Sequence, residues 1–212
     1  MEKVKRIEEF ALLANLMKNH GAERVCDIGC GAGEMVEFLN KSGIEAFGFD
    51  IKIESPKSDR IVISSAKKPG MKLKYFDTFL FKQSMHHIDK DFQEKLIESL
   101  AFEKGRKIFI VEATIGEGNY DKIKSLVFPE REMRLSVLET LHKIRSKFSV
   151  RKIKTYGKVI EYGDFEEFYR ETIASNPKTV WNKEIEKAVK PIFEKYKRDL
   201  YQQMDVYLVE KR

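Results

Sequence analysis

Three glycines within five positions, Gly29, Gly31 and Gly33, separate an apolar run ending at Ile28 from a helix-forming stretch that starts at Glu34. Residues without β-carbons permit a tight turn and let a ligand come close to the backbone. A strand, a glycine loop and a helix in that order therefore constrain the fold more than any other part of the chain. The first apolar run is Arg24–Ile28, and others follow at Ala46–Phe49, Arg60–Ile63, Phe79–Lys82 and Lys107–Val111, with helical stretches between them. That alternation predicts parallel strands joined by crossover helices. The expected architecture is α/β, a Rossmann-like, doubly wound and mostly parallel seven-stranded sheet, with residues up to Glu112 forming the doubly wound part.

On either side of this unit the pattern changes. Ile7, Phe10, Ala11, Ala14 and Met17 recur at helical spacing and predict an N-terminal helix over residues 3–19 that ends at Gly21. Beyond Glu112, a loop with Gly116 and Gly118 leads to a helical region near Tyr120–Phe148, and Ser149–Tyr162 reads as extended structure interrupted by Gly157. Phe165, Phe168, Tyr169, Thr172 and Ile173 fall on one helical face and Val180–Tyr196 continues a second pattern, so a helical cover is expected over about 164–200 before a last strand at Val206–Val209. No repeat, low-complexity tract or linker divides the chain. Residues 1–212 are expected to form a single domain whose cover and sheet share a core.

Composition narrows the class. Hydrophobic residues make up 42% and charged residues 35% of 212, as in a soluble globular protein. No run approaches the ~18 apolar residues of a membrane span, and the first residues lack the apolar core of an export signal, which together lead us to expect a cytoplasmic protein. Cys26 and Cys30 match no zinc spacing and read as reduced packing residues. His20 and His142 fall at predicted helix ends, and no metal site is expected. The net charge is +6, but its signs are interleaved, and abundant Lys and Glu resemble a heat-adapted surface.

Two carboxylates point to the ligand. Asp27 stands two residues before the first glycine, and position 34 is Glu rather than the last glycine of the dinucleotide fingerprint. A carboxylate here repels a pyrophosphate and attracts a cation, which disfavours a nicotinamide dehydrogenase. S-adenosylmethionine has no phosphate and carries an ammonium and a sulfonium. About twenty positions after the loop begins, Asp50 closes the second strand where a ribose diol is held. A capping role for either carboxylate, or a plain turn for the glycines, explains each residue singly but not their joint spacing.

Asp27-Ile-Gly-Cys-Gly-Ala-Gly33, the acidic Asp50 and Phe76-Asp-Thr-Phe-Leu-Phe-Lys-Gln-Ser-Met-His-His-Ile88 together resemble the class I S-adenosylmethionine-dependent methyltransferases over roughly residues 20–115. The resemblance implies that Gly29, Gly31 and Gly33 border the methionine end of the cofactor, and Asp27 and Cys30 are expected among the cofactor-binding residues. It likewise implies Asp50 at the ribose, Ile51 at the adenine face, and Ser84, Met85 and His86 near the reacting centre. One departure stands out. The family often has an acidic residue followed by a small one after the third strand, where this chain has Ser64-Ser-Ala66. Ser65 is expected to accept the adenine hydrogen bond in its place, more weakly.

Methyl transfer from a sulfonium is an in-line displacement that needs alignment and no obligatory metal. Acceptors that lose a proton need a base, and His86, with His87 second, is the candidate imidazole; a purely structural role for the pair is the alternative. A small-molecule acceptor is expected, because a continuous cover makes a closed pocket and no Pro-Pro-aromatic motif follows the fourth strand. The alternative is RNA, bound through Lys143, Arg145, Lys147, Arg151, Lys152, Lys154 and Lys158, a stretch without acidic residues. A third reading keeps the cofactor fold without catalysis. The aromatics Phe165, Phe168, Tyr169 and Trp181 are assigned mainly to packing.

Overall fold

A computed structural model describes residues 1–128, 130–174 and 178–212 of the protein. The chain opens on a two-residue strand, β1 (Lys3–Val4), and enters helix α1 (Arg6–Asn19), whose start is closed by the Glu8 carboxylate accepting from the Lys5 amide at 2.8 Å. Phe10, Leu13, Ala14 and Met17 bury one stripe of α1, but Ile7 is 72% exposed and Glu9 joins the buried side. The expected strands follow as β2 (Arg24–Ile28), β3 (Glu45–Asp50), β4 (Ile61–Ile63), β5 (Thr78–Lys82) and β6 (Lys107–Ala113). Helix α2 (Glu34–Lys41) connects β2 to β3, and α3 (Lys90–Leu100) connects β5 to β6.

After β6 come α4 (Asn119–Val127), α5 (Arg131–Ile144) and β7 (Phe148–Val159). A short α6 (Phe165–Phe168) continues as a π-helical turn, Tyr169–Ala174, and the chain then forms α7 (Lys183–Tyr196) and β8 (Tyr201–Lys211). Pro129, in the predicted helical region, and residues 175–177, in the predicted cover, lie outside the described residues. Among the described residues no helix is long and apolar enough to cross a membrane.

The strands form one sheet in the order β1-β7-β8-β6-β5-β2-β3-β4. From β4 to β6 every pairing is parallel; β8 runs antiparallel to both β6 and β7, and β1 is parallel to β7. The sheet thus has eight strands rather than seven. Two residues carry no periodicity, and β1 falls inside the stretch 3–19 predicted as helix. Nor does Gly157 interrupt β7; it pairs with Lys3 of β1, leaving little room for a β-carbon.

Alternation along β6 shows why its sequence is continuously apolar. Ile108 and Ile110 join a cluster with Leu96, Ile97, Val137 and Leu141 of α3 and α5, while Phe109 and Val111 join the cluster of Phe10, Leu13, Val36 and Leu39 from α1 and α2. A strand covered on both faces has no polar face to display. The cover departs from expectation: Tyr120, Ile123, Phe168, Ile173, Val189 and Phe193 make a third cluster separate from these two. It is tied to the sheet by Asn119, whose side chain donates to the Asp199 carbonyl and accepts from the Tyr201 amide, both at 2.8 Å.

Glu9 fixes the first half of α1 beside the carboxyl ends of β5 and β7. Its carboxylate is fully buried, accepts from the Tyr156 hydroxyl at 2.7 Å, and lies 3.2 Å from Lys82 Nζ and 3.8 Å from Lys158 Nζ. Burial alone would raise the Glu9 carboxyl, but Lys82, Lys158 and Tyr156 outweigh it and hold it below the usual range. Burial, with Lys82 beside it, pushes the Lys158 ammonium down to about 8. Glu9→Ala strands two partly buried cations, and losing one partner of a buried ion pair costs about 3–5 kcal/mol. Urea denaturation should register a loss of that size; a change below about 1 kcal/mol, the exposed-pair range, would show that the cluster is not a tether.

Candidate functional site

Neighbours β2 and β5 mark the place where strand order reverses, and ligands of open α/β sheets occupy the crevice beyond the carboxyl ends of such strands. The loop leaving β2 is pressed into that crevice. Gly29 has φ +77°, and a β-carbon there would overlap Cβ of Ser84 from the turn after β5. The Ser84 hydroxyl donates to the Ile28 carbonyl and pins the two strand ends together. Gly33, at the start of α2, has φ +83°, and its β-carbon would come within 2.9 Å of Ile61. Space is open around Gly31, whose amide donates to Asp50 Oδ2 at 2.9 Å, so the end of β3 holds the loop from the other side.

Asp27 lies beneath this loop, 2% exposed, and its Oδ1 has no hydrogen-bond partner among the described residues. Burial pushes its carboxyl up to about 7, Lys82 pulls it down, and Asp50 pushes it up. The cleft beside it has a volume of about 320 Å³ and is bounded by Gly29, Cys30 and Gly31 below and by Arg6 and Phe10 of α1 above. Arg6 is paired with Glu34 at its rim. An uncompensated buried carboxylate in an open cleft is a receptor for a cationic, hydrogen-bond-donating group such as an ammonium. Burial and the nearby carboxylates of Asp27 and Asp50 raise the Cys30 thiol, so Cys30 shapes the loop as an uncharged side chain.

A larger cleft of about 500 Å³ shares Gly29 with the first. On the β3–β4 side it is lined by Asp50, Ile51, Ser64 and Ala66. Ile51 is 75% exposed, and the Ser64 hydroxyl is buried without a partner among the described residues. Ser65, expected here, instead accepts from the Lys68 amide and does not line the cleft. The unsatisfied hydroxyl is one residue earlier in the chain, because Ser64 follows β4 directly and its amide donates to the Asp50 carbonyl at 2.9 Å.

On the β5 side the cleft meets Gln83, Ser84, His87 and Ile88, with Met133 of α5 and Lys178 closing it above. Gln83 holds φ +55°, a conformation uncommon for non-glycine residues, and its side chain accepts from Lys158 Nζ at 2.9 Å. Met85, His86 and His87 form a 3₁₀ turn. Met85 is in the core. His86 is buried too, with Nδ1 2.7 Å from Glu112 Oε2 and its amide donating to Glu112 Oε1 at 3.2 Å.

His87, not His86, is the imidazole that faces the cleft, which reverses the order of preference drawn from the sequence. The two rings lie 4.0 Å apart. Burial and the neighbouring His86 push the His87 imidazole below its ordinary value, Glu130 and Glu112 oppose them, and Lys178 adds to the lowering. In the sequence the signal for Glu112 is a carboxylate near the end of the apolar run of β6.

The basic stretch 143–158 is largely committed within the chain. Lys143 and Lys147 pair with Glu94, Lys147 also with Glu98, Arg151 with Glu210, Lys152 with Asp205, Lys154 with Glu2 and Lys158 with Glu9.

Comparison with known proteins gives a consistent picture. The methyltransferase domain family matches residues 4–163. No curated protein sequence is matched. Among solved structures, the YcgJ protein of Bacillus subtilis is similar over 97% of this chain and 98% of its own, with 14% identity and a TM-score of 0.61. A putative methyltransferase from an antibiotic biosynthesis pathway of Anabaena variabilis is similar over 93% and 96%, with 13% identity and a TM-score of 0.59. Magnesium protoporphyrin IX methyltransferase of Synechocystis PCC 6803, solved with bound S-adenosylmethionine, is similar over 97% and 78%, with 14% identity and a TM-score of 0.51. At such identities the likeness is one of fold.

The state of Asp27 has a measurable effect on stability. Its folded pKa of about 7 exceeds that of an unfolded aspartate, so stability present below about pH 4 is lost as pH rises through 7. Asp27→Asn removes the ionisation. The variant should match the wild type near pH 4 and exceed it at pH 8 by on the order of 2–4 kcal/mol in urea denaturation. A constant difference at all pH values would mean that Asp27 ionises normally.

Proposed function

The chain belongs to the methyltransferase domain family, and from that membership we propose that it binds S-adenosylmethionine across the two clefts joined at Gly29 and passes its methyl group to a small molecule. The observation that carries this reading is the orphaned, buried Asp27 carboxylate beside the glycine loop, which suits the ammonium of the methionine moiety. The loop formed by Gly29, Cys30, Gly31 and Gly33 gives that moiety a surface free of side-chain obstruction. Asp50 takes the ribose hydroxyls; each carboxylate oxygen offers about two acceptor sites, so its bonds to the Gly31 and Lys52 amides leave capacity. Ile51 covers the adenine face, and Ser64 rather than Ser65 supplies a hydroxyl to it. Ser84 keeps the strand ends in place, with Met85 packed behind.

Bound S-adenosylmethionine supplies a methyl carbon attached to a sulfonium. When bound, it would offer that carbon to the acceptor's lone pair, the carbon–sulfur bond breaking with its electron pair left on sulfur. Where the acceptor is a hydroxyl or an acidic carbon, His87 takes the proton; with its pKa lowered, the imidazole is neutral and able to accept near pH 7. His86, bound to Glu112, holds the turn that presents His87 and is a positioning residue. A small acceptor is favoured over RNA because six of the seven basic side chains between 143 and 158 already answer carboxylates of this chain.

Calorimetry with S-adenosylhomocysteine in two buffers of different ionisation enthalpy tests the reading. An ammonium opposite Asp27 favours the carboxylate, so binding between pH 6 and 7.5 should release part of a proton and tighten as pH rises. Asp27→Asn should abolish the release and weaken binding at least tenfold, as loss of a charge-assisted hydrogen bond of about 1.5–3 kcal/mol implies. Asp50→Ala should weaken it similarly. Binding of NAD instead, or unchanged affinity in both variants, would refute the assignment. Once an acceptor is known, His87→Gln should lower kcat for proton-losing acceptors and leave S-adenosylhomocysteine affinity intact.

A further inference from the structure

Beyond the two clefts lies a third cavity, of about 420 Å³, between α4, α5 and the loop that follows β6. Its wall is an organised set of charges. Arg134 is buried and forks between Asp121 Oδ1 at 2.6 Å and Glu130 Oε2 at 2.9 Å; Lys124 Nζ lies 3.2 Å from the same Glu130 oxygen. Asp121 Oδ2 accepts from the Gly116 amide at 2.7 Å. Burial would raise the Glu130 carboxyl, but Lys124 and Arg134 hold it at about 2. Both carboxylates are thus already answered within the chain, Asp121 by Arg134 and the Gly116 amide and Glu130 by Arg134 and Lys124. Lys122 and Arg131 also line the cavity, and neither side chain has a partner among the described residues. Four cations thus face two carboxylates. Burial, with Arg134 beside it, pushes the Lys124 ammonium below its ordinary range against the opposing pull of Glu130 and Asp121.

The cavity adjoins the proposed reaction cleft. The first turn of α5 serves both, with Met133 facing the cleft and Arg131 and Arg134 facing the cavity. A helix with its side chains is about 10–12 Å across, which sets the scale of their separation. Glu130, in the cavity wall, is near enough to raise the His87 imidazole electrostatically.

We propose that this cavity binds an anionic group, carboxylate or phosphate, of the methyl acceptor, with the uncommitted Arg131 and Lys122 as its ligands and the acceptor reaching past α5 to His87. The inference rests on the methyltransferase reading and narrows its substrates to anionic small molecules. Arg131 offers a free planar fork suited to either oxyanion, and Lys122 and Lys124 add point charges.

The test uses inorganic pyrophosphate and succinate as probes, titrated calorimetrically with and without saturating S-adenosylhomocysteine. At least one probe should bind the wild type in both conditions, and Lys122→Gln/Arg131→Gln should weaken it at least tenfold; both side chains are exposed and unpartnered, so the fold should be unaffected. Undiminished binding to the double variant, or no binding to the wild type, overturns the proposal. In a second arm, acceptor candidates are offered with labelled cofactor as acid and neutral ester pairs. The acid should be the substrate, with KM raised at least tenfold in the double variant and kcat little changed. Methylation of neutral members alone, or a probe that binds without competing with the acceptor, also overturns it. If S-adenosylhomocysteine itself does not bind, the methyltransferase reading fails, and the probe titration still reports on the cavity separately.

Discussion

The end of β2 approaches the end of β5 so closely that position 29 has no room for a side chain, and the rest of the site depends on that contact. With Ser84 bonded to the Ile28 carbonyl behind it, the loop is forced outward over the crevice, where Asp50 catches the Gly31 amide. One close approach thereby aligns three strand ends and divides the space beyond them into two clefts that meet at a single glycine. Because the loop cannot relax backward, Asp27 stays buried beneath it with an oxygen that nothing among the described residues answers.

Glu9 and Asp27, both buried near this crevice, have opposite fates. Glu9 is surrounded by Lys82, Lys158 and Tyr156, and its energy is spent on fastening α1. Asp27 shares only the influence of Lys82 and faces the further charge of Asp50. A buried charge matched by opposite charges holds its elements in one arrangement, whereas an unmatched one leaves free energy to be recovered by a ligand. Arg6 and Phe10, carried on the helix that Glu9 holds, form the wall opposite Asp27, so the structural charge sets the shape in which the functional charge acts.

Much of this was legible in the sequence. The glycine loop, Asp27, Asp50 and the five parallel strands follow from local spacing: β2, β5 and β6 are buried on both faces and read as apolar runs, and β4 reads as one although Val62 and Ile63 are exposed at the sheet edge. What escaped was decided by tertiary contacts. Glu9 stands on the apolar face of a helix where only its distant partners make burial tolerable. Strand β1 is two residues long and exists because β7 presents an edge to it. Ser64 and Ser65 are indistinguishable in sequence, and only the bond between the Ser64 amide and Asp50 decides which one lines the cleft. His86 and His87 differ likewise by the presence of Glu112, which draws one ring inward. The third, separate apolar cluster of the cover was hidden because helical periodicity reports that a face is buried but not against what.

The placement of β8 has a consequence for the order in which the molecule can be assembled. This strand, residues Tyr201–Lys211, is inserted between β6 and β7, so β6 and β7 have no direct pairing to make before it arrives. During synthesis at about 5–20 residues per second, the roughly 100 residues separating β6 from the end of β8 take on the order of 5–20 s to emerge. Throughout that interval one side of β6 is an open ladder of backbone groups flanked by apolar side chains, the kind of edge that recruits foreign strands. The nascent chain is most exposed to misassembly then, and completion of the sheet comes as one late event that unites the parallel half with β7 and β1.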